Sequence, residues 1–175
     1  MLMSRDACSG EQRGASMKPI LESIRELLSQ AGIDYREVHH EPTRTSEESA
    51  QARGEDLRTG GKALLMRGNE EYLVFVLPAN RRADSAAIRR ELQIRRLRFA
   101  TREELFELTG LLPGSLPPFG RPILPFTLYV DAAIRDNVRI AFNAGSLTDS
   151  MIMSVGDYLR VAGPERIFPF GVEAG

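Results

Sequence analysis

Hydrophobic residues recur along this chain at the two spacings that distinguish helices from strands. From Ile20 to Ala31 they return every third or fourth position and stop before Gly32, which predicts an amphipathic helix. Thr45 and Thr101 are each followed three positions later by a glutamate, the spacing of a helix-starting capping box. Together with an aspartate cap at position 84 and an apolar closing segment, these signals predict helices at 17–31, 45–54, 84–92, 101–110 and 155–161.

Segments rich in β-branched and aromatic residues lie between these helices. The segments 62–67 and 72–77 are separated by Gly68-Asn69-Glu70-Glu71, which is typical of a β-hairpin. Further strands are predicted at 34–40, 97–100, 127–131, 138–143 and 149–154, with a long loop at 111–125 and a tail over the last dozen residues. Because the strands come in pairs and do not alternate regularly with helices, we predict an α+β fold. We expect a central mixed, mostly antiparallel sheet of about six or seven strands flanked by helices.

Length and composition indicate one globular domain. Of the 175 residues, 42% are hydrophobic and 27% are charged. The polar residues 1–16 are expected to form a disordered lead-in to a single domain at 17–175. No apolar run approaches the roughly 20 residues of a membrane span, and the N-terminus lacks the apolar segment of a signal peptide. We therefore expect a cytoplasmic protein without membrane association, and the lone Cys8 excludes an internal disulfide.

Positive charge is concentrated in one segment, although the net charge is only -1. Between residues 81 and 102 eight arginines face only two acidic residues, Asp84 and Glu91, so this segment carries a net charge of +6. Such a run is commonly a solvated helix face, and the alternative is a small phosphate-binding patch. The near-neutral total charge argues against a protein that coats nucleic acid, and a small patch suits a partner engaged at one end better than a duplex bound along its length.

Lysine is rare in this chain, because arginine supplies 21 of the 23 basic residues. Lys62 opens the apolar run Lys62-Ala63-Leu64-Leu65-Met66, the start of a predicted strand that enters the core. A lysine there offers a compact charge whose pKa burial can lower, which guanidinium does not offer. The other interpretation is a side chain that extends from the strand start into solvent.

A Gly- and Pro-rich loop is the strongest local feature of the chain. It reads Thr109-Gly110-Leu111-Leu112-Pro113-Gly114-Ser115-Leu116-Pro117-Pro118-Phe119-Gly120. Such a loop is stiff at its prolines and open to close approach at its glycines, so its backbone N–H groups can face a phosphate or a developing oxyanion. It is longer than most loops of compact domains, which favours a functional role over a plain connection.

Two other polar segments are weaker candidates for a site. Asn143-Ala144-Gly145-Ser146 lies between two predicted strands and supplies turn chemistry, and Asn143 and Ser146 could also line a site. His39 and His40, with one distant cysteine, are too few ligands for a metal site. A Ser/His/Asp triad is not excluded by residue count, but no nucleophile-elbow spacing is present.

Four segments match a known family when they are taken together. They are His40-Glu41-Pro42-x-x-Thr45-Ser46-Glu47-Glu48, Gly61-Lys62-Ala63-Leu64, the loop at 109–120 and the turn at 143–146. This combination resembles the YbaK/ProX-type domain, the aminoacyl-tRNA deacylases related to the editing domain inserted in bacterial prolyl-tRNA synthetases. The resemblance extends from about residue 17 to 161, and it implies a mostly antiparallel sheet flanked by helices.

The resemblance also implies a function and a set of site residues. The expected reaction is hydrolysis of the ester that links an amino acid to the terminal ribose of a mischarged tRNA, with no metal or other cofactor and with help from a ribose hydroxyl of the substrate. The family's functional lysine falls on Lys62, and backbone N–H groups around Gly114 are expected to stabilise the oxyanion. The residues implied to bind substrate are Thr45, Gly110, Pro113, Ser115, Asn143, Gly145 and Ser146.

The expected partner is the aminoacylated 3′ end of tRNA, with Arg89 and Arg90 as candidate tRNA contacts and prolyl-tRNA synthetase as a further partner. Alanyl-tRNA for proline is the first expected substrate and cysteinyl-tRNA for proline the second. Two other functions stay open from the sequence. One is a non-catalytic module that binds a tRNA end or a nucleotide as a regulator or synthetase partner, and the other is a hydrolase of a small ester unrelated to tRNA.

Overall fold

The computed structural model describes residues 18–174, so the predicted lead-in, with Cys8, lies outside the described residues. Five α-helices form close to their predicted positions. They are α1 (Ile20–Gln30), α2 (Ser46–Arg53), α3 (Ser85–Leu92), α4 (Arg102–Thr109) and α5 (Val155–Ala162). The described strands are β1 (Arg36–His39), β2 (Gly61–Gly68), β3 (Glu71–Pro78), β4 (Arg81–Ala83), β5 (Leu97–Phe99), β6 (Thr127–Asp131), β7 (Arg139–Asn143), β8 (Asp149–Ser154), β9 (Arg166–Phe168) and β10 (Gly171–Glu173).

The helix ends follow the capping chemistry of the sequence. The Thr45 hydroxyl accepts a hydrogen bond from the Glu48 N–H, and Thr101 and Glu104 form a complete capping box. The helix that starts after Thr45 ends at Gly54 in the left-handed conformation. These local signals depend on near neighbours in the chain, which is why they were readable from the sequence.

The strands form one mixed sheet and two smaller antiparallel ones. The main sheet has the order β5-β2-β3-β6-β9, in which β6 runs parallel to both of its neighbours and the other pairs are antiparallel. The second sheet has the order β1-β8-β7, and β4 pairs with β10. A bridge between Gly60 and Ala141 connects the second sheet to the start of β2. The α+β class and a mixed central sheet with helices are confirmed. The central sheet has five strands where about six or seven were expected, and antiparallel pairs are the majority only when all three sheets are taken together.

The main sheet is buried on both faces because β3 alternates between two apolar clusters. Val74 and Val76 pack with α1, α5 and the long loop, whereas Phe75 and Leu77 pack with α3 and the C-terminal strands. None of these four side chains is more than marginally accessible to solvent. Burial on both faces gives β3 its nearly continuous apolar sequence.

The prediction that the last dozen residues form an irregular tail is wrong for the described residues up to 174. That segment forms β9 and β10, and Phe168 and Phe170 are buried. The buried Asp131 carboxylate accepts hydrogen bonds from the N–H groups of Phe170 and Gly171, at 2.8 Å each. Strands of three residues are too short to show a periodic pattern, and their partners lie far away in the chain.

One edge of β2 has no strand partner along its first half, and the candidate functional site lies against this open edge. β5 pairs with β2 only from Met66 to Gly68, so residues 61–64 have no strand on that side. Among the described residues no helix is both long and apolar enough to cross a membrane.

Candidate functional site

A cavity of about 220 Å³ lies against the open edge of β2. We call it the central cavity. Its walls come from the start of β2, the first turns of α2 and the segment before it, the bend at Gly114 and the end of β7. The residues on which its chemistry depends are Thr43, Thr45, Ser49, Arg53, Lys62, Gly114 and Asn143.

Lys62 lies at the wall of this cavity, half-buried at the start of β2. Its ammonium donates a hydrogen bond to the Arg81 carbonyl at 2.5 Å, which leaves further N–H donors for another group. Burial lowers the pKa of Lys62 below its ordinary value, and the nearby charge of Glu47 partly opposes that shift. The lysine is therefore anchored by the protein and still able to bind.

The Gly114 bend faces the same cavity. Its φ of 91° is one that glycine adopts without strain. The Gly114 carbonyl accepts a hydrogen bond from Asn143 Nδ2 at 2.6 Å, and the next N–H, that of Ser115, is bonded to the Leu112 carbonyl. Within residues 18–174 no group accepts a hydrogen bond from the Gly114 N–H, so the bend keeps one open backbone donor.

Thr45 and Asn143 complete the predicted residues that the structure brings to this cavity. The Thr45 hydroxyl is used as the N-cap of α2, so it fixes the helix start that forms one rim. The Asn143 amide nitrogen donates a hydrogen bond to the Gly114 carbonyl, and its amide oxygen accepts hydrogen bonds from Arg53 and Ser150.

Three of the other implied substrate-binding residues lie on the Gly- and Pro-rich loop outside the lining of the central cavity. Gly110 ends α4 at a φ of 72°. Ser115 is buried, and its hydroxyl donates to the Leu112 carbonyl at 2.7 Å. Pro113 lines a neighbouring groove. Their roles toward substrate stay predictions.

Gly145 and Ser146 form the turn between β7 and β8, also outside the cavity lining. Gly145 has a φ of 75° and lies against Ile20 of α1. The Ser146 hydroxyl donates to the Asp149 carboxylate at 2.8 Å and accepts from the Thr148 N–H. These contacts stabilise the turn, and a contact of either residue with substrate stays a prediction.

Sequence reasoning missed Arg53, a buried guanidinium in the cavity wall. Its Nε donates to Ser150 Oγ and one terminal nitrogen donates to Asn143 Oδ1, both at 2.9 Å. Burial lowers the pKa of Arg53 to about 10, although Glu55 opposes the shift, so Arg53 stays charged at neutral pH. The chain has 21 arginines, and Arg53 lies at the end of a short helix, so nothing in the sequence indicated that its side chain is buried in a cavity wall.

Two buried hydroxyl groups were missed as well. Thr43 and Ser49 line the cavity, and their oxygens are hydrogen-bonded to each other at 2.8 Å. With Arg53 and Asn143 they make one part of the cavity wall polar. That part of the wall can hydrogen-bond a small polar group of a ligand.

The charge of the cavity is positive. Arg44, Arg53 and Lys62 line it, and none of the described residues in its lining is an aspartate, a glutamate or a histidine. The lining therefore attracts anions such as phosphate and offers no carboxylate or imidazole as a general base. In residues 18–174 no group of three or more His, Cys, Asp or Glu side chains lies together as a metal site would require.

The arginine-rich segment forms a second, separate feature. We call it the arginine cleft, a surface depression of about 470 Å³ whose basic residues are Arg67, Arg89, Arg95, Arg96 and Arg98. Arg90, the residue that follows Arg89 in α3, is exposed and does not line this cleft. The two candidate tRNA contacts therefore differ in their surroundings.

Comparisons with known proteins agree on one family. The profile of the aminoacyl-tRNA editing domain matches residues 40–161. Over 147 residues the chain is 37% identical to the multifunctional Ser/Thr-tRNA deacylase ProXp-y of Escherichia coli strain K12, which covers 81% of this chain and 87% of that protein. Over 101 residues it is 34% identical to a proline–tRNA ligase of Shouchella clausii, which covers 58% of this chain and 18% of the ligase.

A solved structure supports the same relation. The crystal structure of a proposed trans-editing enzyme for prolyl-tRNA synthetase superposes on this chain with a TM-score of 0.75 at 25% identity. The superposition covers 91% of this chain and 100% of that chain.

Proposed function

Because this chain belongs to the aminoacyl-tRNA editing domain family and is an aminoacyl-tRNA deacylase, we propose that the central cavity holds the acylated 3′ end of a mischarged tRNA. The observation that carries the proposal is that Lys62 and Gly114 line one small, cationic cavity, and that within residues 18–174 no group accepts a hydrogen bond from the Gly114 N–H. A phosphate-linked, ester-bearing nucleotide carries the two groups that these donors match.

The chemistry requires little from the protein, because an aminoacyl ester is already activated. Water adds to the ester carbonyl carbon, the bond to the ribose oxygen breaks, and that oxygen takes up a proton, which leaves a free amino acid and a deacylated tRNA. We assign the Gly114 N–H to the carbonyl oxygen as negative charge develops on it. Lys62 holds the terminal phosphate or ribose and thereby orients the ester.

The water needs a base, and the described lining of the cavity has neither carboxylate nor imidazole. We therefore assign this role to the free hydroxyl of the terminal ribose, which lies next to the ester in any 2′- or 3′-aminoacyl nucleotide. A substrate of this kind carries its own proton relay, and the protein needs only to orient it.

The polar part of the wall favours a particular amino acid. Thr43, Ser49 and Arg53 place hydrogen-bonding groups around a cavity of only about 220 Å³. A site that hydrogen-bonds a substrate hydroxyl discriminates more strongly than an apolar pocket, which gains only ~1–3 kcal/mol per methylene. We propose seryl- and threonyl-tRNA as better substrates than the alanyl- and cysteinyl-tRNA expected from the sequence, in agreement with the name of the Escherichia coli relative.

We also propose which tRNA carries the amino acid and which protein this chain binds. The likeness of this chain to part of a proline–tRNA ligase supports tRNA for proline as the carrier and prolyl-tRNA synthetase as the partner. Sedimentation of the purified protein with that synthetase, with and without tRNA for proline, tests the partner.

The substrate is tested by hydrolysis rates on a panel of mischarged tRNAs. The purified protein is mixed with tRNA for proline that carries serine, threonine, alanine, cysteine or proline, and release of the amino acid is followed. We expect the seryl and threonyl esters to be cleaved fastest and the prolyl ester to be spared. Failure to cleave any of the five, or cleavage of a simple phenyl ester with no preference for tRNA, would contradict the proposed function.

A further inference from the structure

A second depression adjoins the central cavity along the open edge of β2. We call it the side groove, and its volume is about 180 Å³. Apart from Arg102 and Thr101, whose hydroxyl caps α4, its lining is mainly apolar and includes Leu64, Phe99, Leu105, Pro113 and Leu116. Ala63, Leu64, Gly114 and Leu116 line both depressions. The two are therefore neighbouring compartments that a single extended ligand can occupy together.

An exposed aromatic ring stands in the side groove. Phe99 is 57% exposed, so most of its ring is free to contact a ligand. It pairs with Met66 across β5 and β2, and side chains alternate along a strand, so Phe99 lies on the same face of the sheet as Leu64 and Lys62. Exposed aromatic rings beside a cationic channel are how proteins hold the bases of single-stranded nucleic acids.

Positive charge flanks this ring. Arg102 lines the side groove, and its side chain makes no hydrogen bond or ion pair with another residue of the described range 18–174. In the other direction along β5, Leu97 and Arg98 line the arginine cleft. A path from Lys62 past Phe99 to the arginine cleft therefore follows apolar surface bordered by arginines, which matches a strand of stacked bases with a phosphate backbone.

Because the two depressions share four lining residues, one extended ligand can place neighbouring groups in both of them. In a tRNA the terminal adenosine bears the amino acid, and one phosphodiester joins it to the preceding cytidine. We propose that the side groove receives the base of this penultimate cytidine, stacked on Phe99, with the linking phosphate beside Arg102. This inference rests on the proposed function and adds a nucleotide subsite to it.

Substrates of increasing length isolate this subsite. The three esters are 3′-seryl-adenosine, the seryl ester of cytidylyl-adenosine, and seryl-tRNA for proline, and kcat/KM is measured on each. Wild type is expected to prefer the dinucleotide over the single nucleoside by about tenfold, the size typical of one stacked base. Phe99→Ala is expected to remove this preference, and Phe99→Trp is expected to keep it.

Phe106 offers a matched control, because it is also 57% exposed and lies nearby on α4 but does not line the groove. Phe106→Ala is expected to keep the wild-type preference for the dinucleotide. Arg102→Gln is expected to weaken the dinucleotide preference at low salt and to make it less sensitive to added salt, since one phosphate contact is lost. Thermal unfolding of each variant checks that the fold is intact.

The outcomes separate a failure of the cytidine subsite from a failure of the proposed function. If wild type cleaves all three esters and Phe99→Ala retains the tenfold preference, the subsite is overturned and the proposed function stands. If Phe99→Ala and Phe106→Ala lower activity on seryl-tRNA alike and leave the dinucleotide preference, the surface contacts another part of the tRNA or a protein, and the subsite is again overturned. If wild type cleaves none of the esters, the proposed function itself fails.

Discussion

Lys62 carries the charge on which the proposed mechanism depends. It is held by the Arg81 carbonyl at the start of β2 and lies in a wall that it shares with Gly114. Because its ammonium is desolvated, its attraction for a phosphate or ribose oxygen is stronger than it would be in water.

We expect Lys62→Ala to lower kcat/KM on mischarged tRNA by about 10²-fold or more, the usual loss for one electrostatic contact in a transition state. Within residues 18–174 Lys62 forms no salt bridge, and the substitution removes only its hydrogen bond to the Arg81 carbonyl, so the midpoint of thermal unfolding should fall only slightly. Lys18→Ala is the matched control, since Lys18 is exposed and pairs with Glu26 away from the cavity. Wild-type rates in Lys62→Ala would remove this lysine from the mechanism.

Arg53 and Asn143 form one unit at the residue scale. Arg53 donates to the Asn143 amide oxygen, and the Asn143 amide nitrogen holds the Gly114 carbonyl. The orientation of the Gly114 bend, which lines the central cavity, is therefore linked to a buried charge on α2.

We expect Arg53→Met and Asn143→Ala each to destabilise the fold by about 1–3 kcal/mol, because each leaves a buried polar partner unsatisfied. The double variant should lose less than the sum of the two, as expected for residues in one network. Urea unfolding measures the coupling, and Arg58→Met, at an exposed arginine, is the control. Strictly additive losses would show that the two side chains act independently.

At the scale of elements, two glycines with nearly equal φ separate backbone strain from packing. Gly110 ends α4 with nothing within 4 Å of the place of a Cβ, whereas a Cβ on Gly145 would lie 2.8 Å from Ile20 Cγ2. The turn between β7 and β8 thus packs closely against α1. This contact explains why position 145 is a glycine without any contact to a ligand.

We expect Gly110→Ala to cost about 1 kcal/mol of unfolding free energy from the left-handed backbone alone. Gly145→Ala should cost at least about 1 kcal/mol more, because the crowded α1 must also move. Chemical denaturation compares the two variants. Equal losses would mean that the β7–β8 turn adapts easily, and the substrate-binding prediction for Gly145 would then gain weight.

At the scale of the whole molecule, we expect the distribution of arginines to decide how a long polyanion such as tRNA is placed. Arg89 lines the arginine cleft with four other arginines, and Arg90 lies beside it outside the cleft. Because the total charge is near neutral, any electrostatic attraction for tRNA must come from local concentrations of positive charge such as this one.

We expect Arg89→Glu to weaken binding of deacylated tRNA more than Arg90→Glu does. The slope of log affinity against log salt should fall by about one for each phosphate contact that is lost. Filter binding at several salt concentrations measures both slopes. Equal, small effects from the two variants would favour the solvated helix face over the phosphate-binding patch.

Secondary structure was largely predictable because its signals are local. The Thr45 and Thr101 caps and the hairpin at 68–71 each depend on residues within a few positions, and the structure places all three as predicted. β9 and β10 were not predictable, because their partners are β6 and β4, far away in the chain. Three-residue strands carry too little pattern for the sequence to indicate them.

The sequence by itself determined the α+β class and the family, and through the family resemblance it marked Lys62 and the loop at Gly114 as candidate site residues. These depend on residue identity and short spacing, which one chain displays directly. Only the tertiary structure revealed Arg53, the hydroxyl pair of Thr43 and Ser49, and the side groove beside Phe99. The physical reason is that burial and the joining of cavities arise when distant segments pack together, and an arginine or a phenylalanine has the same letter whether it is buried, solvated or facing a ligand.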